Sequence, residues 1–237
     1  MTQNIIKKIY MENFLLKKNK ILIVAAHPDD EVLGCGGTLN QIKNNSIIKI
    51  IFLTNGVSAR SKNNKLIAKR KKECMKVMNF LNVKKTSFYN LPDNQLDKIP
   101  LLKIVKIVEK EIKKFNPSII FTHTENCLNI DHVTIFNSVI TACRPIKKNN
   151  VKAVISFEVP SSTNWKVSQK KKFNPNFYVD IKNNINEKIK CLEIYKSEVR
   201  KYPHSRSSQG LKIFAQYRGL ESGLKFAEAF EIKRIIL

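Results

Sequence analysis

The chain has 237 residues, 43% of them apolar, which is close to ordinary globular usage and ample for one packed domain. Its formal net charge is +24, but the lysines are spread along a chain also rich in Ile and Asn, without interleaved aromatics. That pattern reads as compositional drift rather than a polyanion-binding patch, and with no bilayer-length apolar run and no secretory signal a cytoplasmic protein without a membrane span is expected.

Residues 21–26 are six consecutive apolar side chains, the mark of a strand buried on both faces of a parallel sheet. This run ends in His27-Pro28-Asp29-Asp30-Glu31 and then Gly34-Cys35-Gly36-Gly37. A second strand over residues 47–54 closes at Asn55-Gly56, a turn signal. Apolar residues recur at helical spacing over 64–81, followed by a short strand near 86–89 and the polar loop Leu91-Pro92-Asp93-Asn94. Residues 101–115 form an amphipathic helix stopped by Asn116-Pro117, and residues 118–122 a buried strand ending at His123. Residues 133–143 read as a helix with Asp131 placed to cap it, and residues 151–157 as a further strand. Beyond about Pro160 come short extended pieces, then helices over about 187–199 and 210–230.

This alternation predicts an α/β fold: a Rossmann-like, mostly parallel sheet flanked by helices, with a C-terminal extension of short strands and helices. One domain over residues 1–237 is expected, with the core at about 20–157 and the extension at about 158–237. Cys35, Cys74, Cys127, Cys143 and Cys191 are odd in number and scattered, which suggests reduced thiols.

Ligands in open α/β sheets bind beyond the carboxyl ends of the strands. Two strand ends here carry chemistry, residues 27–31 and residues 123–132, and in a parallel sheet both open on one edge. His27, Asp30 and His132 would then supply the three protein ligands of a catalytic zinc site, with one position left to a water that is acidified toward neutrality. Taken singly, each residue also has a plain role, as a satisfied polar group or a helix cap. Dinucleotide binding is disfavoured, because the glycines lack the Gly-x-Gly-x-x-Gly spacing and three acids would repel a pyrophosphate.

Ala26-His27-Pro28-Asp29-Asp30-Glu31, with Gly34-Cys35-Gly36-Gly37-Thr38-Leu39, resembles the signature of the PIG-L/LmbE family of zinc-dependent N-deacetylases, which act mainly on N-acetylglucosamine units. The resemblance continues through Thr54-Asn55-Gly56, Arg70 with Glu73, Leu91-Pro92-Asp93-Asn94, Asn129-Ile130-Asp131-His132 and Arg144-Pro145. In the tail it covers Tyr202-Pro203-His204-Ser205-Arg206-Ser207 and Ala227-Glu228-Ala229-Phe230. It implies that His27, Asp30 and His132 hold Zn2+, with another divalent ion such as Fe2+ as the alternative. It also implies that Asp29 is the general base for the metal-bound water and that Arg70 and Asp93 contact the sugar. Some members carry a histidine three residues before the second metal histidine to stabilise the oxyanion; Asn129 stands there in this chain, so Asn129 or His204 would take that role. Cys127 stands where an acid is more usual.

Trp165 and the Phe173 to Tyr178 stretch read either as a wall over the sugar or as satellite core. The function expected is removal of the N-acetyl group from a small N-acetylated amino sugar or conjugate, an anionic one included. A metal-dependent amidohydrolase for another N-acyl group is the alternative. A basic nucleic-acid-binding protein with a vestigial metal site is a further alternative, although no specific nucleic-acid motif is present. The oligomeric state is left open.

Overall fold

The computed structural model describes residues 14–146, 150–167 and 172–236. In chain order the elements are β1 (Lys20–Ala25), α1 (Asp30–Ile42), β2 (Ile47–Phe52), α2 (Asn64–Phe80), β3 (Lys85–Phe88), α3 (Leu101–Phe115), β4 (Ile119–His123), α4 (Ile130–Ala142) and β5 (Ala153–Phe157). They continue with β6 (Phe177–Asp180), α5 (Ile185–Ile194), α6 (Ser208–Ser222) and β7 (Ala227–Ile235).

The strands form one seven-stranded sheet in the order β3-β2-β1-β4-β5-β7-β6. The pairings among β1 to β5 are parallel, while β7 runs antiparallel to both β5 and β6. Alternation along β1 splits the core in two. Ile21, Ile23 and Ala25 pack on the side of α1 and α2, whereas Leu22, Val24 and Ala26 pack on the side of α3 and α4. The chain leaves β1 to one side through β2 and returns on the other through β4. The ends of β1 and β4 therefore flank the switch point where such sheets bind ligands.

Helix α1 is interrupted at Cys35, whose φ of −144° is not helical. The N–H groups freed by the break, on Gly37 and Thr38, donate to the buried carboxylate of Glu228 on β7 at 2.9 and 2.7 Å. Lys188 on α5 donates to the same carboxylate at 2.6 Å, so the tail is fastened to the first helix of the core. Gly34 lets α1 approach β5, since a Cβ there would sit 2.3 Å from the ring of Phe157.

The helix expected over 210–230 is shorter than that. It ends at Ser222, where Gly223 takes a left-handed φ of 71° and donates back to Gly219, and residues 227–235 are the strand β7. Main-chain bonding to β5 on one side and β6 on the other outweighs the helical spacing of the apolar residues there. All five cysteines are buried and outside any disulfide. Among the described residues, no helix is long and apolar enough to cross a membrane.

Candidate active site

The turn after β1 is unusual at Asp29, whose φ of 135° is a conformation that costs a non-glycine residue about 1–3 kcal/mol. The turn is held by its own hydrogen bonds. Asp29 N–H donates to Glu31 Oε2 at 3.0 Å, and His27 N–H donates to Asp30 Oδ2 at 2.8 Å. His132 lies in the first turn of α4. The N-cap of that helix is Asn129, whose Oδ1 accepts the N–H groups of Asp131 and His132 at 2.8 and 3.4 Å. Asp131, expected as the cap, instead accepts N–H groups of Asn94 and Leu96 at 2.7 and 3.0 Å. Asn129 starts the helix earlier, which leaves Asp131 free to tie α4 to the loop after β3.

Three donor atoms meet at the switch point. His27 Nδ1 lies 3.2 Å from Asp30 Oδ2, His132 Nε2 lies 3.4 Å from the same oxygen, and the two imidazole nitrogens are 3.4 Å apart. A tetrahedral zinc site with bonds of about 2.1 Å has ligand-to-ligand edges of about 3.4 Å. The three atoms are thus spaced as three vertices of such a site, and Asp30 Oδ1 is buried without a hydrogen-bond partner. The outward sides of the rings are braced as metal-binding imidazoles require. His27 Nε2 faces Asp93 Oδ1 at 3.1 Å and Asp131 Oδ2 at 3.4 Å, and His132 Nδ1 faces Cys127 Sγ at 3.2 Å. A second group, His27 with Asp93 and Asp131, is also compact enough for an ion. Its carboxylates are already engaged, those of Asp93 by the Thr54 hydroxyl and Ala59 N–H and those of Asp131 by the two N–H groups above. The donor set of His27, Asp30 and His132 is the one that fits a divalent ion.

Electrostatics follow from this crowding. Burial opposes ionisation of Asp30, but the imidazoles of His132, His123 and His27 hold it well below the usual carboxylate range. Burial likewise disfavours a charged His27, and Asp30, Asp131 and Asp93 outweigh it. His123, at the end of β4, is pushed well down by burial and by the charge of His132. Its Nε2 accepts Ala26 N–H at 2.9 Å and its ring stacks on that of His132 at 3.8 Å. Asp29 is raised to about 7, chiefly by burial and against the pull of Arg206.

Above these residues opens a cavity of about 720 Å³. Six of the eight residues expected at the site (His27, Asp29, Arg70, Asp93, Asn129 and His204) line it, while Asp30 and His132 lie against His27. Arg70 and Glu73 are both buried, and each bonds Ser197 on the tail, at 3.2 and 3.1 Å. Arg70 also donates to Pro28 O at 3.0 Å and to Glu198. His204 Nδ1 accepts Arg206 N–H at 3.0 Å, which places the ring proton on Nε2. Trp165 lies edge-on to His204 at 5.2 Å and lines the cavity, whereas Phe177 packs on Phe230 and Phe173 lies under Arg218.

Sequence reasoning missed Arg206 and Glu198 as site residues, and it gave no role to His123, although His123 stands at the strand end it singled out. Arg206 Nη1 donates to Asp29 Oδ2 at 3.0 Å and to Glu198 Oε2 at 2.9 Å, and its Nε donates to Ser161 Oγ at 2.6 Å. No local pattern marks it; the run from Tyr202 to Ser207 was its only trace.

Comparison with known proteins bears on the same residues. A model of the GlcNAc-PI de-N-acetylase family, PIG-L, matches residues 22–143, which span both strand ends and more than half of the chain. The chain belongs to the PIG-L family. An Escherichia coli K12 protein, the uncharacterized deacetylase YaiS, is 27% identical over 152 residues, covering 62% of this chain and 77% of its own. The N,N'-diacetylchitobiose deacetylase of Pyrococcus horikoshii superposes with a TM-score of 0.73 at 20% identity, over 99% of this chain and 93% of that one. GalB, the 4-carboxy-2-hydroxymuconate hydratase of Pseudomonas putida KT2440, superposes with a TM-score of 0.70 at 16% identity, over 92% and 97%. These structural likenesses show the fold, which serves a hydratase as well as deacetylases. Membership of PIG-L makes the chain an enzyme of the deacetylase type, a hydrolase.

Proposed function

We propose that this PIG-L protein is a metal-dependent N-deacetylase that releases acetate from a small N-acetylated amino sugar or sugar conjugate. The observation that carries this reading is the triangle of His27, Asp30 and His132 with edges of 3.2 to 3.4 Å, beside a carboxylate, Asp29, that is not part of it. Two imidazoles and a carboxylate suit Zn2+ first and Fe2+ second, and a teicoplanin deacetylase of similar fold is described in a zinc-inhibited form. When bound, such an ion supplies Lewis-acid polarisation of the amide carbonyl and acidification of water.

Asp29 accepts a proton from the attacking water as the oxygen–carbon bond forms. It delivers that proton to nitrogen as the carbon–nitrogen bond breaks, leaving acetate and a free amine. Arg206, held by Glu198 and Ser161, occupies Oδ2 of Asp29 and leaves Oδ1 for this transfer. The amide N–H2 of Asn129, whose carbonyl is spent on the helix cap, and Nε2–H of His204 are the donors for the charge developing on the carbonyl oxygen. Arg70 and Asp93 border the space for the sugar hydroxyls, and Trp165 offers it a flat face. Arg60 and Arg200 at the cavity rim favour an anionic group on the substrate. The five thiols outside disulfides suit a cytoplasmic enzyme.

Acetate release by the zinc-loaded chain from free, phosphorylated and nucleotide-linked N-acetylhexosamines tests this, with metal-stripped protein as the blank. Release from one class only when zinc is present is the expected result. A zinc-loaded protein that releases nothing from any of them overturns the sugar assignment.

A further inference from the structure

We infer that Cys127 is a positioning residue for His132, its sulfur taking the place of the carboxylate that more often orients a metal-binding imidazole; this rests on the metal reading above. Cys127 is 3% exposed, and three polar side chains converge on its Sγ. His132 Nδ1 lies at 3.2 Å, Ser162 Oγ at 3.1 Å and Thr163 Oγ1 at 3.5 Å.

The contact between Sγ and Nδ1 can run in either direction, and only one direction serves a metal. If the thiol donated to Nδ1, the ring proton would sit on Nε2, the atom that faces Asp30 and His27 at 3.4 Å. If Nδ1–H donates to sulfur, Nε2 presents its lone pair to the space between those ligands. The two hydroxyls accommodate the second arrangement. Thr163 Oγ1 already accepts Val159 N–H at 2.9 Å, so its own hydrogen points to sulfur. Ser162 Oγ, on the other side, is placed to accept the thiol hydrogen. The sulfur then donates once, to Ser162, and accepts twice, from Thr163 and His132.

Both hydroxyls come from the turn after β5, whose Ser162 carbonyl also accepts Leu128 N–H at 3.4 Å. The tail thus braces the metal-binding ring through one sulfur atom. Sulfur is a weaker hydrogen-bond acceptor than a carboxylate oxygen, so His132 is a softer anchor here than a carboxylate partner would make it.

The test is the zinc dissociation constant of the metal-stripped full chain, read by chelator competition for the native protein and for Cys127→Ala, Cys127→Ser and Cys127→Asp. Cys127→Ala is expected to weaken zinc about 10- to 100-fold, the usual cost of losing an outer partner. Cys127→Asp is expected to restore or exceed native affinity, and Cys127→Ser to fall between. The serine variant carries the rescue if the aspartate variant does not fold. Native affinity in Cys127→Ala overturns the proposal, as does a loss that neither polar variant restores, because that loss would be one of packing. A native chain that binds no zinc fails at the metal reading itself and takes this inference with it.

Discussion

The floor and the rim of the cavity are built on different principles. The floor consists of His27, Asp30, His132 and His123, carried by the ends of β1 and β4 and by the first turns of the helices α1 and α4 that follow them. The rim consists of Arg206, Glu198, Trp165 and His204, which come from the tail, and Arg206 ties it to the turn after β1 through Asp29. The metal-ligand candidates therefore follow two strand ends, while the groups that position Asp29 come from the tail. Asp29 is where the two meet, with its backbone in the floor and its Oδ2 held by the rim.

Substitutions should separate the two regions. The largest effect is expected for His132→Ala, which removes a vertex of the ligand triangle. Zinc affinity should fall by more than the about 100-fold that loss of an outer partner costs, and turnover should vanish, as read by chelator competition and acetate release. Arg206→Gln should leave the bound metal unchanged and lower kcat by about 100-fold, because Asp29 loses the group that fixes its Oδ2. Loss of metal from that variant would show that the rim also builds the floor.

Glu31 tests how firmly the floor is founded. Its carboxyl is pushed up to about 8 by burial, and it accepts hydrogen bonds from Tyr195 and Asp29 N–H. Since the folded value lies above the ordinary 4.5, its contribution to stability is complete below about pH 4.5. That contribution is lost toward pH 8, at about 1.4 kcal/mol per pH unit. Glu31→Gln should remove this slope, which unfolding curves at several pH values would show. The smallest effect is expected at the rim: Trp165→Ala should raise KM about fivefold, equivalent to about 1 kcal/mol, with kcat unchanged.

What could be read from the sequence follows the same division. An apolar run ending in histidine and acids announces a strand end with chemistry, and the same signature at residues 118–132 places its partner, so the floor and the α/β order of the core were legible. Contacts such as Arg206 to Asp29, 177 residues apart, and Glu228 to Gly37, 191 residues apart, leave no periodic trace. Two local errors have local causes. Asp131 reads as the cap because it shares the capping chemistry of Asn129, two residues earlier, and the start of β7, residues 227–230, reads as the end of a helix because a short apolar run fits either period.

The central claim is that metal binding and proton transfer are carried by neighbouring but separable carboxylates. Metal content and acetate release of Asp29→Asn, measured side by side, test it most directly, since Asn also tolerates the left-handed backbone there. The account predicts native metal content with turnover reduced by about 10²- to 10⁴-fold. Near-native turnover, or loss of the metal together with the activity, would contradict it.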